Sequence, residues 1–206
     1  MDSHQIYFIT SNQAKIIQLS QIPGVGKFSF VPVNLDIDEI QSMDNKKVVQ
    51  DKILKAYQYI SDQLKNPNCW VMCEDTGYSF ANMGNFPGAL IRFYHDSIGN
   101  TGICKFHAGS RATNTSVVAI TNGTDFMVFA NNVGGIIPNQ PRRVFNGSQW
   151  IELDTVFIPD CPEDCVQFQG LAYSELPIGI KTKCSARGKS FTQLINWLES
   201  VIKTNN

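Results

Sequence analysis

The sequence predicts an α/β protein with a mixed β-sheet, and two features carry that prediction. Apolar, β-rich runs alternate with stretches of helical period, which places strands and helices in one layered unit. The runs TSVVAIT and DFMVFANNV flank Asn122 and Gly123, a strong hairpin signal, so the sheet is mixed rather than purely parallel. Ligands of such sheets sit at the carboxyl ends of strands.

Residues 5 to 10 (QIYFIT) read as the first strand. Ser11 and Asn12 lead into a helix with Ile16, Leu19 and Ile17 turned inward, stopped by Pro23 and Gly24. The free N–H groups and dipole at its start suit an anion, with Asn12 and Lys15 nearby, and a plain surface cap fits the same residues. A second β-rich run covers about 28 to 35, LDIDEIQ (35 to 41) reads as an acidic loop, and a helix begins near Asp44. Val49, Ile53, Ala56, Ile60 and Leu64 recur at helical spacing, while Lys46, Lys47, Lys52 and Lys55 read as a solvated face. Pro67 closes that helix.

The stretch CWVMCEDTGYSFANMGNFPGALIRFY (69 to 94) organises the chain. An apolar run, Trp70 to Met72, delivers two adjacent carboxylates, Glu74 and Asp75, to a glycine-rich bend with Gly84, Pro87 and Gly88. Neighbours on a regular strand point to opposite faces, so the two acids share a site only where the strand ends, and Gly77 is expected to mark that end. With Arg92 on the next helix, the pattern suits phosphate and Mg²⁺ chemistry.

A helix over about 88 to 98 and a polar stretch near 99 to 113 lead to the hairpin. A Pro-rich loop carries Arg142 and Arg143, read as solvated, and WIELDTVFIPD (150 to 160) follows. The last helix, roughly 185 to 202, is expected to bury Phe191, Leu194, Ile195, Leu198 and Ile202. Residues 1–206 show no repeat, low-complexity segment or linker and read as one domain.

Composition narrows the function classes. Lys and Arg (17) nearly balance Asp and Glu (18), so no global positive field points to direct nucleic-acid binding and phosphate recognition must be local. No apolar run reaches membrane-spanning length, and the start MDSHQIYFIT lacks a signal peptide's pattern, so a cytoplasmic protein is expected. On that ground the glycosylation-like triplets at Asn114, Asn122 and Asn146 are discounted. Cys69 and Cys73, like Cys161 and Cys165, stand four apart; this is not the usual zinc spacing, and buried thiols are expected. His4, His95 and His107 are scattered without a motif.

Five segments together resemble the Ham1 family, the inosine triphosphate pyrophosphatases. They are TSNQAK (10 to 15), LDIDEIQ, EDTGYSFANMGNFPGALIRFY (74 to 94), LDTVFIPD (153 to 160) and YSELPIGIKTKCSAR (173 to 187), in family order across nearly the whole chain. The resemblance implies a two-lobed, anticodon-binding-like α/β fold with a long mixed β-sheet flanked by helices and a central nucleotide cleft, usually a homodimer. It implies hydrolysis of nucleoside triphosphates to monophosphate and pyrophosphate with Mg²⁺, Mn²⁺ being a possible substitute, and a preference for deaminated purines such as ITP, dITP and XTP.

Carried over by resemblance, Asn12 and Lys15 match the phosphate-binding element, Glu39 the metal-linked acid, and Glu74 and Asp75 the central acidic pair. Arg92 matches the cation after Pro-Gly, Lys181 the lysine before the Ser-His-Arg motif, Ser185 and Arg187 that motif's ends, and Asp154 and Phe157 the base-pocket strand. The mechanism so implied has Glu39 and Glu74 holding Mg²⁺ and Asp75 activating water, with Glu74 and Asp75 free to exchange roles. Lys15, Lys181 and Arg187 would offset triphosphate charge. The departures lie at the base: Ala186 replaces the family His and Leu153 its Trp, which removes a hydrogen-bond donor and aromatic area and predicts relaxed selectivity. The rival class is a catalytically weak nucleotide-binding protein acting through a polymerase or other partner; a remoter one is a Maf-like pyrophosphatase.

Overall fold

The structure, a computed structural model, describes residues 5–143 and 153–204. Asn146, Trp150, Glu152, His4 and the side chain of Ile202 lie outside the described residues. Among the described residues, seven strands form one sheet. β1 (Gln5–Ile9) pairs in parallel with β2 (Ser29–Val33) on one side and with the first part of β3 (Trp70–Phe80) on the other. β4 (Phe86–Gly88) returns antiparallel onto the far end of β3. β5 (Arg111–Thr121) and β6 (Phe126–Ile136) form the expected hairpin, and β7 (Ile158–Pro159) pairs antiparallel with β6. The order is β2-β1-β3-β5-β6-β7, with β4 off this path. At the hairpin tip Asn122 Oδ1 accepts from the N–H groups of Thr124 and Asp125 (3.1 and 2.7 Å), and Gly123 takes φ +88°, a value a side chain would resist.

One edge of β3 is shared by two strands. β1 occupies Trp70 to Cys73 and β4 occupies Tyr78 to Phe80, so the sheet forks along Glu74 to Gly77. The expectation that the strand ends at Gly77 is corrected here: β3 runs on to Phe80, because β5 gives it an unbroken antiparallel partner from Thr121 to Ala112. Glu74 and Asp75 therefore do point to opposite faces of the sheet. What they share is the fork.

Helices α1 (Gln13–Ser20) and α5 (Ala186–Thr204) cover one face, burying Phe8, Leu19, Met72, Phe191 and Leu194 together. Helix α2 (Asn45–Leu64) covers the other, over Val49, Ile53, Cys73 and Val117. Beyond the fork, α3 (Ile91–His107) packs into a third cluster with Phe80, Ile103, Val133, Phe157 and Tyr173. The long strands thus serve hydrophobic cores at both ends, with the fork between them.

Several local expectations change. Ile17 is 39 % exposed while Gln18 and Leu19 are buried, and Leu64 at the end of α2 is 43 % exposed. The helix expected to stop near 98 breaks at Gly99 (φ +62°) but resumes to His107, which removes most of the expected polar stretch. The segment that the resemblance gives as the base-pocket strand places Asp154 in a 3-10 turn, Leu153–Val156, before β7. Helix α4 (Ile178–Cys184) and the 3-10 turns Glu163–Phe168 and Tyr173–Glu175 add elements that the sequence pattern did not separate. All six cysteines are free thiols; burial pushes the Cys73 thiol up to about 12, leaving it a packing group. No described helix is long and apolar enough to cross a membrane.

Candidate active site

The parallel strands end together at the fork. Val33 of β2 is level with Ile9 of β1, and Ile9 is level with Cys73 of β3, so the loops leaving β1 and β2 emerge beside Glu74. The first loop turns into α1 through Asn12, whose Oδ1 accepts from the Ala14 N–H at 2.9 Å. Asn12 is thus a helix N-cap in this structure. One turn on, Lys15 Nζ donates to the Glu74 carbonyl oxygen, which has no strand partner on that side, at 2.7 Å.

Glu74 is the electrostatic anchor of one face. Its side chain is fully buried, and Oε1 accepts from Thr76 Oγ1 (2.5 Å), Ser116 Oγ (2.7 Å) and Arg187 Nε (3.2 Å). Lys15 Nζ pairs with Oε2 at 2.8 Å, so both carboxylate oxygens face cationic groups. Burial alone would raise this carboxyl's pKa; the charges of Arg187 and Lys15 outweigh it, together with the Lys15 and Thr76 contacts, and hold it well below the usual range. Arg187 also donates from Nη2 to Thr76 Oγ1 at 2.8 Å and from Nη1 to Gln18 Oε1 at 3.4 Å. Burial would lower its pKa, and Glu74 and then Asp154 raise it, so the guanidinium stays charged between two acids.

Asp75, on the opposite face, is half-buried and differs sharply. Burial pushes its carboxyl up to about 6, opposed by Lys15 and reinforced by Glu74; a hydrogen bond from Asn45 opposes the rise and Glu39 adds to it. Asn45 Nδ2 donates to Asp75 Oδ2 at 2.7 Å. Glu39, in the loop after β2, accepts from Lys52 Nζ at 2.5 Å. Lys52 was expected on a solvated face; it instead turns to the site. Burial would lower its pKa, but the bond and charge of Glu39, then Cys73 and Asp75, raise it above the ordinary value.

The remaining expected residues divide. Lys181 on α4 pairs with Asp154, both largely covered, within the field of Arg187. Ser185 Oγ accepts from Gln18 Nε2 (2.6 Å) and from the Gly188 N–H (3.1 Å), which ties the start of α5 to α1. Phe157 is 0 % exposed, wedged between Tyr78 and Tyr173 at ring-centroid distances of 5.3 and 5.1 Å, so it fills the core here. Arg92 is exposed at the start of α3 and makes no contact with the Glu74 cluster among the described residues. Sequence reasoning missed Gln18, Asn45, Lys52 and Ser116. Only Gln18 left a signal, standing three residues after Lys15 on the same helix face.

Hard carboxylate oxygens suit a divalent cation, and those of Glu39 and Glu74 are here each paired with a lysine. Among the described residues no three acidic, His or Cys side chains converge into a ready cage.

The Ham1 family profile matches residues 6–197. A dITP/XTP pyrophosphatase of Pyrobaculum aerophilum is 29 % identical over 197 residues, covering 94 % of this chain and 96 % of its own. Inosine triphosphate pyrophosphatase 2 of Trypanosoma cruzi is 31 % identical, covering 93 % of this chain and 91 % of its own. A HAM1 protein from Coxiella burnetii superposes with a TM-score of 0.71 at 20 % identity, covering 95 % of this chain and 98 % of that one. With a forked mixed sheet of the same fold and a profile match over nearly its whole length, the chain belongs to the Ham1 family.

Proposed function

We propose that the chain is a divalent-cation-dependent nucleoside triphosphate pyrophosphohydrolase that converts non-standard purine triphosphates (ITP, dITP, XTP) to monophosphate and pyrophosphate, with relaxed base selectivity. The observation that carries this reading is the convergence of Lys15 and Arg187 on buried Glu74 at the fork of the sheet, with Asp75 next to it held by Asn45; the two carboxyls are shifted in opposite directions, Glu74 down and Asp75 up. Paired acids with separated pKa values divide into an ionised anchor and a proton acceptor suited to neutral pH. On this reading Asp75 serves as the base and Glu74 as the fixed charge, the roles that the sequence left exchangeable.

In the proposed reaction Asp75 takes a proton from water, the water oxygen bonds to the α-phosphorus, and the α–β anhydride bond breaks with its electron pair leaving on pyrophosphate. Lys15, Lys181 and Arg187 face the triphosphate and stabilise charge on the leaving group. A cation held by Glu39 and Glu74 would neutralise phosphate charge, as Mg²⁺ does in such sites. The same reading includes a homodimeric, cytoplasmic enzyme.

Selectivity is relaxed because Ala186 is buried, 0 % exposed, and offers no side-chain donor to a base. A site without that donor leaves nothing unpaired when the base changes. The test measures pyrophosphate release from ITP, dITP, XTP, GTP and ATP with and without Mg²⁺. The expected result is metal-dependent release with an ITP-to-ATP ratio in kcat/KM below about a thousandfold, or about 4 kcal/mol. A larger ratio contradicts relaxed selectivity; binding without turnover contradicts the enzyme.

A further inference from the structure

We propose that Asn45 is a positioning residue for Asp75, fixing the rotation of its carboxylate so that Oδ1 is the oxygen that receives the proton from water. The inference rests on Asp75 being the base. Asn45 is the first residue of α2 and is 5 % exposed. Its Nδ2 donates to Asp75 Oδ2 at 2.7 Å, the hydrogen bond that this carboxylate makes among the described residues. An ionised carboxylate only accepts, so the amide must present its NH₂ group.

The surrounding chain is shaped to admit this amide. Capping does not need it, because the N-cap of α2 is Asp44, whose Oδ1 accepts from the Lys46 N–H at 2.9 Å. Propensity does not favour it either, since Asn is a poor helix former. Opposite stands Gly77, two residues beyond Asp75 on the same face of β3. A Cβ there would meet Asn45 Oδ1 first, with Asn45 Nδ2 and the Gly88 carbonyl carbon each 2.8 Å away, closer than real contacts allow. A strand glycine marks close approach, and the approaching group here is the amide that holds the base. Around it, Lys15, Glu74 and Glu39 act on Asp75 through charge, and Lys52 shares that field, but none of these fixes the carboxylate's rotation by a hydrogen bond.

The test uses the full chain with ITP and Mg²⁺, reading kcat and KM separately alongside thermal melting, for wild type, Asp75→Asn, Asn45→Ala, Asn45→Ser and Asn45→Asp. Misorienting a base costs rate rather than binding, so Asn45→Ala should lose about 30-fold in kcat with KM within about threefold. Asn45→Ser, which keeps a short donor, should recover at least half of that loss on a logarithmic scale. Asn45→Asp separates donation from shape. It is isosteric, and an acid in a first helical turn is favoured by the dipole, so a merely structural role predicts a better enzyme than the Ala variant. Positioning predicts a worse one, because the donor is replaced by a repelling carboxylate. Should Asn45→Ala keep kcat within about twofold, or Asn45→Asp outperform it, the positioning role is overturned even where Asp75→Asn is inactive. If Asp75→Asn itself turns over normally, the base assignment fails and the positioning role with it.

Discussion

Glu74 and Asp75 are neighbours whose energetic effects have opposite signs. Asp75 has a folded pKa above its unfolded value, so the folded state holds that proton more tightly. Its contribution to stability is complete below pH 3.8 and is lost as pH rises through about 6. Asp75→Asn should therefore be more stable than wild type at pH 7, by about 2 kcal/mol after discounting for partial exposure, while losing activity. A urea midpoint unchanged or lowered at pH 7 would count against this. Glu74 is the reverse: its folded pKa is depressed, so its stabilisation is present above pH 4.5 and fades as pH falls below it. Glu74→Gln leaves Lys15 and Arg187 without their shared counter-charge and should cost about 3 kcal/mol, seen as a lower melting temperature. The acid limb of kcat/KM should fall as pH drops through about 6, the region in which Asp75 protonates.

At the scale of elements, the fork turns a continuous strand into a site. The pairing of β1 with β3 stops at Cys73 and that of β4 begins at Tyr78, and between them Gly77 lets the start of α2 press against the strand. Gly77→Ala should displace Asn45, reducing stability by about 1–3 kcal/mol, and activity with it. A variant with wild-type melting and turnover would show that this close approach is dispensable. Most of the elements were legible in the sequence, because β1, α2, the Asn122-Gly123 hairpin and α5 carry strong periods or turn residues. The fork was not. The second half of β3, Thr76 to Phe80, lacks a continuous apolar run, and it is strand because β5, some forty residues later, pairs with it. The Gly99 break hid the rest of α3 for a related reason: packing of Ile103 and Cys104 into the core restores a helix that local sequence interrupts. Lys52 read as solvent-facing since a lysine beside an inward face gives no sign of an acidic loop folding back upon it.

Across the whole molecule, the site is assembled from both ends of the chain. Lys15 and Gln18 come from the first helix, Glu39 and Asn45 from the second loop and helix, Glu74 and Asp75 from the central strand, and Ser185 and Arg187 from the start of the last helix. Residue types in order along the sequence were enough to suggest this gathering, but not which face each acid occupies. That assignment decides the chemistry, since it gives Glu74 the cations and Asp75 the amide. Chelation should follow suit: removing divalent cations with EDTA should stop turnover, and adding Mg²⁺ back should restore it. The most direct measurement is pyrophosphate and inosine monophosphate formation from ITP by wild type and Asp75→Ala under saturating Mg²⁺. The account predicts equal amounts of the two products from wild type and a loss of at least about a hundredfold in kcat for the variant. Product formation by Asp75→Ala at the wild-type rate would contradict it.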